Sequence, residues 1–163
     1  NIPFHHILGQ GINYEYDGKT YSFNKELMEQ YDQTIRRMSE KSMTVTAVIL
    51  NGWNDNTPQL IYPGVKKQPA GQVFYYGFNA STKEGYETIK AIASFLAERY
   101  SSLKSPYGKV SNWIIGNEIN NQQWNYVGPM GLDQYVREYE RAFRVFYTAI
   151  KSTNQNDLSL IHI

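Results

Sequence analysis

The chain has no cysteine in its 163 residues, which removes disulfides, thiolate zinc sites and cysteine nucleophiles together. Compartment stays open on this count, because secreted bacterial proteins often lack cysteine as well. No apolar run is long enough for a signal peptide or a membrane span. The first residue is Asn rather than Met, so that absence says little about targeting. An excess of charge of one sign is also missing: 16 basic and 15 acidic residues are interspersed and leave a net charge of +1. No basic face advertises nucleic acid or an anionic membrane, and neither is expected as a partner. There is no Gly-x-Ser-x-Gly elbow, no phosphate-binding loop and no zinc helix motif. Gly9-Gln10-Gly11 begins like a dinucleotide fingerprint, but the third glycine is absent and no helix pattern follows. No cofactor or metal is expected.

Aromatics are plentiful instead. Fourteen Tyr, seven Phe and three Trp make up 15% of the chain, and many fall in segments read as loops. Aromatic rings near strand ends suit the C–H faces of sugars, although Tyr-rich loops also pack on themselves. With 41% hydrophobic residues the chain is long enough for one domain with a core.

Asn1 to Leu8 (NIPFHHIL) reads as a first strand, with Pro3 near its start. Neighbours on a strand face opposite sides, so His5 and His6 make a poor metal pair; His6, nearer the strand end, is a candidate for a supporting place in a site. Ile12 to Phe23 alternates around Asp17-Gly18, the signal of a two-residue β-hairpin, and a hairpin in a strand-to-helix loop would rim a cleft. Asn24 caps a helix running to about Lys41. Thr44 to Leu50 (TVTAVIL) predicts a strand buried on both faces. Asn51 and Trp53 at its carboxyl end are then candidates to face substrate; alternatively Asn51 and Asn54 serve a turn and Trp53 caps the core. The segment from Asn51 to about Ala80 far exceeds the ~2–6 residues usual for such a connection and predicts an ordered insertion walling a cleft. Ser81-Thr82-Lys83-Glu84 reads as a capping box opening a second helix. Asp133 is expected to cap a third, in which Glu140 and Arg144 pair at i, i+4.

Between the second and third helices lies Val110 to Asn120, VSNWIIGNEIN. Its short apolar run predicts a buried parallel strand that ends at Gly116 and delivers Asn117 and Glu118. A carboxylate at the carboxyl end of such a strand sits where α/β barrels keep their chemistry. This stretch, a Trp-containing strand followed by Gly-Asn-Glu and an aromatic loop, resembles the fourth strand of the retaining glycosidases of clan A. More closely, Asn1 to about Asp157 is similar to an uncharacterised bacterial domain-of-unknown-function family placed with those barrels. The resemblance implies a carbohydrate substrate, with Glu118 as general acid/base and Asn117 bonding the sugar 2-hydroxyl. Trp124, six residues past Glu118, is a sugar-stacking candidate, or a ring packed over the barrel rim.

Three successive strand-then-helix units imply right-handed crossovers and a parallel sheet. A complete (β/α)₈ barrel typically needs ~250 residues. The expected fold is therefore an α/β, partial (β/α)₈ barrel covering about strands two to four, truncated at both ends. Leu158 to Ile163 (LSLIHI) matches one translated frame of a transposon end used to tag sequencing libraries, so these six residues are expected to be an adapter translated by accident; a genuine strand is the alternative. In the glycosidase clan the nucleophile ends the seventh strand, which such a fragment would lack, and Glu15, Glu84 and Glu98 sit on a hairpin and an outer helix. The rival expectations are a non-catalytic carbohydrate-binding barrel and a purely structural Glu118.

Overall fold

The computed structural model describes residues 1–160 of the chain. In order, the elements are β1 (Ile2–Pro3), the hairpin strands β2 (Gly11–Tyr16) and β3 (Lys19–Asn24), α1 (Lys25–Glu40), β4 (Thr46–Leu50), α2 (Lys83–Tyr100), β5 (Asn112–Ile115), α3 (Leu132–Thr153) and β6 (Leu158–Leu160), with short 3-10 turns at Phe4–His6 and Pro58–Leu60. Strands β1, β4, β5 and β6 form one parallel sheet in that spatial order. Each crossover carries one helix, and right-handed crossovers in a monotonic order put all three helices on one face.

Register decides which residues that face receives. Ala47 pairs with Trp113 and Ile49 with Ile115, and all four are buried in the common core. The opposite face carries Val48 and Ile114, both half-buried, and Leu158 and Leu160, which are 52% and 39% exposed. The β-branched run of β4 is thus covered throughout on one face, and on the other from exposed Thr46 through half-buried Val48 to buried Leu50. On the helix side, Phe4, Phe78 and Phe146 meet edge to face at 5.1–5.4 Å between centroids, locking the first 3-10 turn, the long loop and α3 together.

The first strand is shorter than the alternating reading of Asn1 to Leu8 implies. Only Ile2 and Pro3 pair with β4, and the chain then coils into the 3-10 turn, with the Ile7 N–H donating to the Phe4 carbonyl. Phe4 and Ile7 are both fully buried, and a spacing of three suits a turn rather than a strand. Asn24, the last residue of the hairpin, borders a cavity at the strand ends, and the hairpin forms as expected around Asp17 and Gly18, both with positive φ. It lies along α2: the Tyr14 hydroxyl donates to Glu98 at 2.8 Å, Lys19 meets Glu87 at 2.5 Å, Lys90 meets Asp17 at 2.7 Å, and Phe23 stacks on Phe95. The cause is its half-buried stripe Ile12, Tyr14 and Tyr16, which needs a helix face to cover it.

Caps follow the sequence with small displacements. Asn24 accepts from the Leu27 N–H at the start of α1. At α2 the cap is Thr82, accepting from Gly85, because the Ser81 hydroxyl donates to Glu138 instead. Helix α3 starts after Gly131, which puts Asp133 in its first turn rather than at the cap; Arg144 and Glu140 pair at 2.6 Å. Of the terminal hexapeptide, Leu158–Leu160 pairs with β5, and the remainder lies outside the described residues.

Candidate functional site at the carboxyl ends of the strands

All four sheet strands run the same way, so the 3-10 turn after β1, the long loop after β4 and the loop after β5 leave from one rim. At the end of β5 the Ile115 carbonyl accepts from the Tyr139 hydroxyl at 2.7 Å, while the Gly116 N–H donates to Ile49 at 2.9 Å. Gly116 then turns the chain with φ +81°, a conformation glycine adopts without strain. Two residues on, Glu118 has φ +43°. For a residue with a Cβ this left-handed conformation costs about 1–2 kcal/mol, and it persists only where the surroundings over-determine it.

The surroundings are visible. The Glu118 carbonyl accepts from Asn121 at 2.8 Å. The Tyr135 hydroxyl donates to the Ile119 carbonyl and accepts from the amide of Asn125 at 2.7 Å. Burial raises the Tyr135 and Tyr139 phenols above the ordinary tyrosine value, so both stay neutral donors. Two tyrosines on one face of α3 therefore clamp the strand end and the loop that holds Glu118. The Glu118 side chain is half-buried, and among the described residues its carboxylate forms no hydrogen bond or ion pair. Asn117, also half-buried, precedes it.

The loops after β4 and β5 are zipped by their backbones. Phe74 N–H donates to Gln123, Tyr126 N–H to Tyr75, and Gly77 N–H to Tyr126, at 2.8–3.0 Å. Rings gather along the seam. Trp124 lies 4.9 Å from Phe74 and 5.8 Å from Tyr75, and Trp53 and Tyr126 flank Tyr76 at 5.3 and 6.0 Å. Phe74 is 47% exposed and Trp124 half-buried, so this group presents apolar faces outward. Trp53 is half-buried, with its indole N–H donating to Asp55 at 2.6 Å.

Asn51 occupies a different position. It is 1% exposed, its amide nitrogen donates to the Leu60 carbonyl at 2.9 Å, and its backbone carbonyl accepts from Tyr76 at 2.7 Å. It anchors the long loop from below, and its side-chain oxygen is buried with no partner among the described residues.

His5 is a hub that sequence reasoning missed. Its Nδ1 accepts from the Gly52 N–H at 2.6 Å, and its carbonyl accepts from Asn54 at 2.6 Å and Thr57 at 3.3 Å. A Cβ on Gly52 would stand 2.5 Å from the ring, so this close approach requires glycine. Burial, then the neighbouring His6, lowers the His5 pKa to about 4, against a hydrogen bond to the Leu50 backbone that raises it. The neutral form is the one that can accept from Gly52. His6 is exposed, its ring 4.1 Å from that of His5, and it lines a rim cavity of about 400 Å³ together with Asn54 and Thr57. A second cavity, of about 290 Å³, lies between α2 and α3. Glu118 and Asn117 line neither and sit on the open rim.

Residues 1–163 match the family described as Family of unknown function (DUF5722). The chain belongs to that family. No curated protein and no solved structure matches the chain. Among the described residues of this DUF5722 member, no group of three or more His, Asp or Glu could hold a metal ion, and no helix is long and apolar enough to cross a membrane.

The rim thus brings Asn117, Glu118 and Trp124 into one loop and joins that loop to the segment carrying Trp53. It keeps Asn51 beneath the surface and His6 at the β1 side. The Tyr135 and Tyr139 clamp had a readable signal, since both lie in the aromatic period of α3. The His5 hub had none, because its partners lie 47 to 52 residues away.

Proposed function

We infer that this DUF5722 chain forms three β-α units of a (β/α)₈ barrel of the glycosidase type, with the rim described above as its saccharide cleft. Four parallel strands in sequential order, helices on one face and an open second face bearing Val48, Ile114, Leu158 and Leu160 support this reading, because a barrel closes such a face inward. The observation that carries it is Glu118: a half-buried carboxylate on a left-handed backbone, clamped through its loop and without a partner among the described residues.

In the proposed reaction Glu118 protonates the departing glycosidic oxygen and then deprotonates the attacking water, and Asn117 bonds the sugar 2-hydroxyl. Trp124, with Phe74 and Tyr75, stacks on a neighbouring ring. A retaining mechanism needs a second carboxylate ~5–5.5 Å from the first. Glu15 and Glu98 are held in hairpin contacts with Thr20 and Tyr14, and the resemblance to the clan A glycosidases assigns the nucleophile to a later strand.

That assignment keeps one alternative in view, a non-catalytic carbohydrate-binding barrel with the same aromatic rim. A panel of aryl glycosides separates the two. Hydrolysis that Glu118→Gln slows by roughly 10²–10⁴-fold for the poorer leaving groups of the panel supports the enzyme; saturable sugar binding without turnover in the protein that carries every barrel strand supports the binding module. Neither binding nor turnover overturns both.

A further inference from the structure

The rim cavity beside β1 and β4 has a lining that divides in two. Asn54 and Thr57 are scaffold: the first donates to the His5 carbonyl and accepts from the Asn56 N–H at 3.0 Å, and the second reaches the same carbonyl. The other polar groups are uncommitted. Among the described residues the His6 ring, the side-chain amides of Asn56 and Gln59 and the amide nitrogen of Asn24 make no hydrogen bond, although the Asn24 oxygen caps α1.

No Asp, Glu, Lys or Arg lines this space. Its volume of about 400 Å³ falls in the ~300–1,000 Å³ range of small-molecule sites. Primary amides both donate and accept, as hydroxyl groups do. A carboxylate or phosphate placed here would meet neither Lys nor Arg, and the His6 imidazole is the one ionisable side chain in the lining. The walls are rigid on the scaffold side because Asn54, Thr57 and Gly52 all bond to His5.

We propose that this cavity is a subsite for an uncharged sugar ring, reached by the same saccharide chain that passes Glu118. The strand ends that frame it, β1 and β4, adjoin β5, and β1 and β5 are two strand spacings apart, ~10 Å. This rests on the reading of the rim as a saccharide cleft and narrows its ligand to a neutral sugar at this position.

The test is a titration of the isotope-labelled chain with glucose, galactose, mannose and xylose, and separately with glucuronate and galacturonate, following the side-chain amide resonances of Asn24, Asn56 and Gln59. At least one neutral sugar is expected to move these resonances saturably, with the uronates weaker by about tenfold or more. The double variant Asn56→Ala/Gln59→Ala should weaken that binding by about tenfold without changing the melting temperature. If it folds poorly, Gln59→Met, close in size, serves in its place.

Equal or tighter uronate binding overturns the proposal. So does a neutral sugar that moves only the Trp124 and Phe74 resonances, or the absence of any saturable shift. Glu118→Gln should leave the shifts intact. In the protein that carries every barrel strand, parental turnover by Glu118→Gln with intact shifts therefore strikes the acid/base assignment alone, and turnover without shifts strikes this subsite alone.

Discussion

Asp32 and Glu118 are two carboxylates of one chain placed in opposite circumstances. Asp32 sits on α1, 6% exposed, and is held on both oxygens: Arg99 meets it with two bonds at 2.8 and 2.5 Å, and the Tyr100 hydroxyl donates at 2.8 Å. Arg99 in turn stacks on Tyr107 at 3.6 Å. These contacts gather where α2 ends and the chain turns toward β5, at the amino ends of the strands. Glu118 is at the carboxyl ends, half-buried, on strained backbone and without such partners among the described residues. One acid is consumed by the fold; the other is held in place by the fold and left unpaired. A group fixed by its backbone and not by its own side-chain bonds is free to bond something that arrives.

The sharpest break in that comparison is the removal of each carboxylate in turn. Asp32→Ala leaves a largely buried guanidinium and a buried phenol without their carboxylate, and is expected to lose roughly 3 kcal/mol of stability, read by denaturant titration, with turnover unchanged per folded molecule. A loss below about 1 kcal/mol would show the pair to be no more than a surface ion pair. Glu118→Gln is expected to leave stability within about 0.5 kcal/mol of the parent.

Gly52→Ala probes the framework between the two regions. The new methyl would push the His5 ring off its contact, and the expected loss is roughly 1–3 kcal/mol, measured as a shift of the urea midpoint. An unchanged midpoint would mean the His5 hub is looser than it stands.

A finer test replaces Glu118 by Gly and by Ala. Neither keeps a carboxylate, so their difference isolates the left-handed backbone: the Gly variant should be the more stable by about 1 kcal/mol. Equal stability would remove the argument that strain marks this position.

A further effect is in pH. The folded His5 pKa is near 4 against an ordinary 6.5, so as pH falls through that window the unfolded chain takes up a proton that the folded chain refuses. Stability from this group is therefore full above pH 6.5, declines toward pH 4 and levels off below. The difference in stability between the parent and His5→Gln should show that slope; a flat difference would contradict the assignment.

Much of the scaffold was legible because its signals are local. The Asp17-Gly18 turn, the Asn24 cap, the Glu140–Arg144 pair and the strand-helix succession each depend on residues a few positions apart. What was not legible depends on distant partners. The hairpin's docking on α2 follows from Tyr14 meeting Glu98, and the loss of a regular first strand follows from Phe4 packing on Phe78 and Phe146. At the site, Gly-Asn-Glu ending an apolar strand announced a strand-end carboxylate, and Trp124 a ring in the same loop. Asn51 could have faced either way from its sequence neighbours, and only the return of the loop with Tyr76 and Gly77 draws it inward.

The most direct measurement is the leaving-group dependence of hydrolysis by Glu118→Gln in the protein that carries the proposed barrel in full. The account predicts that glycosides with poor leaving groups slow by roughly 10²–10⁴-fold, while an activated nitrophenyl glycoside, which needs no proton to depart, is cleaved at nearly the parental glycosylation rate. Parental turnover of the poor leaving groups would contradict it.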